Sequence, residues 1–348
     1  MGLDKALGIN TGNRKRGKLN LITDVKGVKV GHCTVKGDGI NTGVTAILPH
    51  GGDTFHEKVI AAPYVINGYG KSIGLMQMEE LGTLETPIIL TNTLSVGTAA
   101  TATVRYMMER CPEIGGKDGT VNPVVCECND GRLSDIRGLH VKEEHVFEAL
   151  TAADTVFDEG AVGAGTGMSC FDLKGGVGSA SGLVELDGVE YTVGVLALTN
   201  FGELENFRIN GKCVGEELKE RLRIISEGDK GSVIIVIATD IPVNERQLRR
   251  MCLRAGAGLA RVGSFYGNGS GDIVVGFSTA QRIPHNSRQA VIDSRRLVDG
   301  YLDRIFPVVV DCVEESVLSS MLHAKTTVGK GGFTRYSLAD LWGESGLI

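Results

Sequence analysis

The sequence predicts one α+β domain, with sheets sandwiched between helices rather than a doubly wound parallel sheet. Three observations carry this. From residue 20 onward, apolar runs alternate with Gly-rich turns, and strand and helix patterns mix without strict alternation. No Pro/Ser linker and no internal repeat divides the 348 residues, a length that one large domain with a substantial core can use. Glycine contributes 49 of those residues, about twice the usual share of roughly 7%. The glycines are scattered and not periodic, which excludes collagen and low complexity and points to tight turns and close backbone approaches.

The elements are taken in chain order. Short apolar runs bounded by turn residues predict strands over 28–32, 43–48, 88–91, 124–127, 161–163, 176–181, 191–198, 233–237 and 273–279. Helical patterns predict helices over 59–67, 96–109, 141–152, 217–225, 245–260, 288–299 and 308–324. A strand over 306–310 overlaps the last of these, and helix is favoured from Val310 onward. The charge-free run 96–104 is built of small residues and suits a helix packed closely on two sides. Leu248, Met251, Cys252, Ala255 and Leu259 repeat at helical spacing and predict a core-facing stripe. Residues 202–231 form the most polar stretch and read as a surface insertion.

Composition excludes several classes. The net charge is −6, and the basic stretch of Arg14, Lys15, Arg16 and Lys18 reads as a solvated N-terminal arm rather than a nucleic-acid site. No 18-residue apolar span predicts a membrane crossing, and the N-terminus lacks a signal-length apolar segment, so a cytoplasmic protein is expected. The eight cysteines have irregular spacing, and Cys126-Glu127-Cys128 has no matching pair. Buried free thiols are expected rather than structural zinc. The seven histidines form no metal-ligand pattern, His285 beside Pro284 reads as a loop residue, and no metal or organic cofactor is expected.

The run Gly267-Asn268-Gly269-Ser270-Gly271-Asp272 is the most informative segment. It falls between a predicted helix and a predicted strand, so Ser270 opens a strand directly after a tight turn. Such a run is a plain turn in most chains, because Gly and Asn supply positive φ at little cost. The same geometry suits a serine whose own peptide bond is broken. A serine with a free α-amine carries its base on the same residue, and that amine titrates near 7.7–8.0.

Acyl chemistry also needs an oxyanion donor and a group that orients the amine. Asn200, at the exit of the strand ending at 198, offers a side-chain NH2, or is only a strand-exit residue. Glu314, beside Glu315 on the C-terminal helix, offers a carboxylate to the Ser270 amine, or belongs to an exposed helical pair. Glu127 at a strand end offers a carboxylate to a substrate ammonium, or is a turn residue before Asn129-Asp130-Gly131. The run from Gly163 to Met168 lacks the G-K-[ST] of a phosphate loop and reads as backbone lining a cleft or as a turn.

Taken together, the segments resemble one family. Asp24 to His32, Glu127-Cys128-Asn129-Asp130-Gly131, Gly163 to Met168, Lys174 to Gly178, Thr199-Asn200-Phe201-Gly202, Ala238-Thr239-Asp240 and Gly267 to Phe277 stand in the order of the DmpA/BapA-type aminopeptidases. The resemblance covers roughly residues 20 to 330. It implies an αββα four-layer sandwich similar to N-terminal-nucleophile hydrolases, and a precursor that cuts itself between Gly269 and Ser270 into chains 1–269 and 270–348. It implies Ser270 as nucleophile, Asn200 as oxyanion donor, Glu314 as helix carboxylate and Glu127 as the group that recognises a free amine. Substrates are then short peptides, amides or esters, and the assembly a homo-oligomer, a tetramer among the options. Two positions depart from the family: Cys312 stands where a hydroxyl is expected before Glu314, and Asn129 stands where some members carry Tyr. Three alternatives stay open: an amidohydrolase of the same fold acting on pantetheine-like amides, a non-catalytic relative that binds a small anion, and, weakest, a nucleotide-binding enzyme.

Overall fold

In a computed structural model, residues 8–222 and 231–345 are described. Ten strands build two sheets. Strands β1 (Lys29–Gly37), β2 (Ile40–Leu48), β5 (Ile88–Asn92) and β6 (Val124–Cys128) form a four-stranded sheet in that order. Strands β4 (Thr83–Leu84), β3 (Glu57–Gly68), β10 (Gly271–Pro284), β9 (Ser232–Thr239), β8 (Val189–Asn200) and β7 (Val177–Leu186) form a six-stranded sheet in that order. β10 is central, antiparallel to β3 and parallel to β9.

The side chains explain the layering. In β9 the run Ser-Val-Ile-Ile-Val-Ile-Ala-Thr is buried throughout, as a strand covered on both faces requires. Ile234 and Val236 point to the other sheet, where they meet Ile88, Leu90 and Val124. Val233, Ile235 and Ile237 point outward to Leu248, Met251, Val313 and Val317. These last come from two helices, α5 (Glu245–Arg261) and α6 (Leu302–Leu322). Beyond the four-stranded sheet, Ile89 and Val125 pack on α2 (Val96–Arg110) and α3 (Glu143–Thr151). The order is therefore helices, sheet, sheet, helices: the expected αββα sandwich. Three shorter helices, α1 (Leu75–Leu81), α4 (Gly215–Leu222) and α7 (Leu338–Ser345), lie outside these layers. Helix α6 approaches the sheet so closely that a methyl group on Gly178 would lie 2.0 Å from Ser316 O.

Several expectations give way. Residues 59–67 form strand, not helix, as part of β3: four of them are β-branched and Pro63 stands mid-run, which a helix interior excludes. The pairing of β3 with β4 reaches only Ile60 opposite Thr83, so no β4 neighbour needs the missing Pro63 N–H. Residues 161–163 lead into a 3-10 turn at Gly163–Gly165, with one isolated bridge from Gly160 to Val177. Residues 288–298 are irregular rather than helical, with Val291 81% and Val298 68% exposed. Residues 306–310 are helical within α6, and the predicted helix 217–225 is seen as α4, its last three residues lying outside those described. The basic N-terminal stretch is not a solvated arm. The Arg14 side chain is buried against Glu315 of α6, and Arg16 reaches the same carboxylate at 3.0 Å. In the polar stretch 202–231, Leu204, Phe207 and Ile209 are buried. All five residues of the predicted α5 stripe are buried.

Candidate active site

The segment after α5 returns the chain to the head of β10. Tyr266 takes φ +58°, and its hydroxyl is bonded to Gly256 O. The positive φ expected of the Gly-Asn-Gly run falls here instead, since none of Gly267, Asn268, Gly269 and Gly271 has it. A left-handed aromatic residue stores about 1–3 kcal/mol of strain. The turn then closes: Ser270 N–H donates to Gly267 O at 2.8 Å. Asn67, near the end of β3, donates its side-chain amide to Gly267 O (3.1 Å) and to Ser270 O. Gly271 is needed because a methyl group there would lie 2.7 Å from Tyr69 O.

Ser270 is fully buried, and its hydroxyl donates to Asp272 Oδ1 at 2.8 Å. Side chains two apart on a strand share a face, so the Ser-Gly-Asp spacing itself makes this pair. Asp272 was not singled out in the sequence, although that period-2 spacing is readable there.

Asn200 ends β8 in register with Ser232, and Ser232 with Gly271. Two strand spacings, about 10 Å, thus separate the Asn200 and Gly271 backbones. Asn200 Oδ1 accepts the Ser169 N–H at 2.9 Å, which fixes the amide and leaves Nδ2 as its donor end. Ser169 follows the run 163–168, and Lys174 holds that run. The buried Lys174 Nζ donates to Gly165 O, Met168 O and Gly175 O at 3.0, 2.9 and 2.7 Å. Burial lowers its pKa to about 7. The glycine run is therefore a turn pinned by a lysine, and Lys174 was not recognised from sequence because its partners come only with folding.

Glu127, in β6 of the other sheet, is also buried. Its Oε1 accepts the Lys71 N–H at 2.9 Å and its Oε2 the Thr93 hydroxyl. A methyl group on Gly70 would lie 3.6 Å from Glu127 Oε1 and 3.9 Å from Gly271 Cα, so this carboxylate stands beside the head of β10. Between them the Cys128 thiol donates to Leu198 O (3.7 Å) and Ser232 O (3.5 Å), bridging the sheets. Burial first, and then Glu127 and Asp272, push that thiol well up, so it is no nucleophile. Asn129 is exposed, and its Oδ1 caps Gly131 N–H at 2.9 Å.

Cys312 and Glu314 are not brought to Ser270. Cys312 Sγ faces Val193 O at 3.9 Å, seven residues before Asn200 on the same strand. Glu314 is buried and paired with Arg261 at 3.1 Å, so it belongs neither to an exposed pair nor to the serine. The hydroxyl that α6 does carry to this end of the sheet is Ser320, whose Oγ lies 2.7 Å from Thr199 Oγ1.

The fold that carries this arrangement has counterparts. The model of peptidase family S58 matches residues 20–335. The chain belongs to peptidase family S58. Its similarity to the β-peptidyl aminopeptidase BapA of Sphingosinicella microcystinivorans is 39% identity over 343 residues, 92% of this chain and 85% of that protein. The PH0078 protein from Pyrococcus horikoshii OT3 superposes with a TM-score of 0.92 at 52% identity, covering 97% of each chain. The L-aminopeptidase D-Ala-esterase/amidase from Ochrobactrum anthropi, described as a variant of the Ntn hydrolase fold, superposes with a TM-score of 0.89 at 34% identity, covering 99% of each. This S58 member is accordingly a hydrolase of the aminopeptidase type on an Ntn-like fold. Among its described residues no helix is long and apolar enough to cross a membrane.

Proposed function

We propose that this protein is a self-processing aminopeptidase with Ser270 as nucleophile, acting on short peptides, amides or esters that carry a free amine. The observation that carries the reading is the buried Ser270 Oγ–H bonded to Asp272 Oδ1 at 2.8 Å, directly after a tight turn closed by the Ser270 N–H on Gly267 O.

In the precursor, Asp272 draws the proton from Ser270 Oγ, which attacks the Gly269 carbonyl carbon. The Gly269–Ser270 C–N bond breaks, the amine takes a proton, and an ester to Oγ remains. Water hydrolyses it, giving chains 1–269 and 270–348. Gly269 offers the attack little steric hindrance. In the processed enzyme the freed amine, together with Asp272, takes the Oγ proton as Ser270 attacks the substrate carbonyl. Asn200 Nδ2 serves as the oxyanion donor. Glu127 receives the substrate ammonium, and Asn129 lies at the rim of that subsite. Cys312 and Glu314 act on helix packing, not on the acyl step. The acidic pair Glu127 and Asp272 favours a cationic substrate end over an anionic one, which speaks against a small-anion-binding role.

The test is intact-mass analysis of purified protein beside Ser270→Ala. The parent should give two masses for 1–269 and 270–348, and the variant one uncut chain without peptidase activity. An uncut parent chain would overturn the reading. Glu127→Gln should lower kcat/KM on free-amine substrates by about 10–100-fold, the worth of a charge-assisted bond. Unchanged activity would favour an amidohydrolase that ignores the amine.

Two further readings rest on the same chain. The protein is a homo-oligomer, with a tetramer among the states to be distinguished by light scattering; exposed Val65, Tyr69, Met76, Leu94 and Phe265 are apolar side chains that such contacts would cover. It resides in the cytoplasm, in keeping with eight cysteines that are all free thiols.

A further inference from the structure

We propose that Asp53, His56 and Cys111 form a binding site for a borderline divalent cation of the Zn2+ class. The site lies at the far end of β10 from Ser270, where His285 follows the last strand residue and bonds through its N–H to His56 O at 2.9 Å.

One ligand atom from each of the three side chains lies within 4.8 Å of the others. A tetrahedral zinc with bonds of about 2.0–2.3 Å holds its ligand atoms roughly 3.4 Å apart, so the set needs only small side-chain adjustments. The observed pairs are both closer than that spacing, Asp53 Oδ2 to His56 Nδ1 at 2.5 Å and Cys111 Sγ to Asp53 Oδ1 at 3.2 Å, so a cation entering between them would move them slightly apart. The oxygen, nitrogen and sulfur donors match zinc better than magnesium or calcium, which take oxygen alone.

The surroundings are built for ligation. The Asp53 carboxylate is fixed by the N–H groups of Phe55 (3.0 Å) and His56 (3.1 Å), which makes the 53–56 turn rigid. Cys111 is fixed as the cap of α2, its N–H bonded to Met107 O at 2.8 Å. His56 turns its other nitrogen, Nε2, to Asp118 Oδ2 at 3.2 Å. That is the carboxylate support which metal-bound imidazoles almost always have, and it leaves Nδ1 for the metal. Asp118 is itself held, since its carbonyl accepts His285 Nε2–H at 3.1 Å, and the His285 ring packs on the buried Phe55. Four separate stretches of chain thus converge on one point. Asp53 and His56 reach solvent, which leaves the fourth coordination position to water.

Binding is charge-balanced. Cys111 Sγ gives up its proton as the cation binds, His56 Nδ1 binds without a proton, and the protons released pass to solvent. Without the cation, burial and then Asp53 push the Cys111 thiol up to about 12, so a thiol that stays protonated alone becomes a thiolate only with a metal.

The test uses the full chain, treated with chelator, dialysed and titrated with Zn2+ and Cd2+. One equivalent should bind, Cd2+ should produce the ultraviolet thiolate charge-transfer band, and Zn2+ should raise Tm. Cys111→Ser should abolish the band and weaken binding at least tenfold. Asp118→Asn should weaken it by about 10–100-fold through loss of the outer support. Should Cys111→Ser fold poorly by circular dichroism, His56→Gln carries the same expectation for affinity. Binding should be unchanged in Ser270→Ala, which separates this site from the catalytic reading. The proposal falls if no cation binds, or if Cys111→Ser or His56→Gln binds like the parent, as metal held by the exposed Cys213 would.

Discussion

In the proposed mechanism Ser270 and Asp272 form a pair that needs no further residue to remove the hydroxyl proton, so each should be separately essential. Asp272→Asn keeps the shape but not the acceptor charge. It should slow both self-cleavage and turnover by about 10²–10⁴-fold, the span of general-base effects; the conversion rate by gel and kcat with an amide substrate measure the two. Asn200→Ala should lower kcat by about 10²–10³-fold with little change in KM, as expected when a donor acts only on the transition state. Glu314→Gln should leave kcat unchanged, because its partner is Arg261. A loss of kcat there, with Tm retained, would return the helix carboxylate to the catalytic machinery.

At the scale of elements, the turn 163–168 and the strand end at Asn200 act as one piece. Lys174 gathers three carbonyls, and Ser169 passes that order to the Asn200 amide. Lys174→Met would leave buried acceptors without a donor and should cost on the order of 3 kcal/mol, read as a lower urea midpoint. It should also reduce kcat by up to about 10²-fold, the effect of a small misplacement near the reacting atoms. The strands that flank the serine were legible in the sequence because β-branched runs bounded by glycines leave little choice. β3 was misread because 59–67 carries Ala61 and Ala62 amid its branched residues and has no strict alternation, and its pairing with β10 is long-range. Ser270, Asn200 and Glu127 were legible as strand-end residues. Cys312 and Glu314 were not placed correctly, because a helix's order along the chain does not reveal how far it slides along the sheet beneath it. Asn67 meets the serine turn, and Cys111 meets Asp53 and His56, only through tertiary contacts, which no local spacing signals.

Across the whole molecule, two groups pull the acid response in opposite directions. His32 is neutral in the fold: Nε2–H donates to Asp158 O and Nδ1 accepts from Thr45 Oγ1. Burial lowers its pKa from 6.5 to about 4, so the stability it contributes is present above 6.5 and lost as pH falls through about 4. Burial raises Asp130 from 3.8 to about 7, so its contribution is present below 3.8 and lost as pH rises through about 7. The two slopes oppose each other between about 4 and 6.5. Asp130→Asn should steepen the loss of Tm toward acid, and His32→Gln should flatten or reverse it; identical profiles for all three proteins would contradict both assignments.

The central place of β10 sets what the proposed cleavage would do to the molecule. Once the chain is cut ahead of Ser270, the small product supplies a strand hydrogen-bonded on one side to β3 and on the other to β9, both of the large product. Neither fragment would then own the complete six-stranded sheet. Refolding, unimolecular for the precursor, becomes an encounter between two partners at their ambient concentration. The proposed maturation would therefore work as a one-way ratchet: the cut enzyme would depend on the slowness of its unfolding, and dilution after denaturation would strand it where the uncut chain recovers.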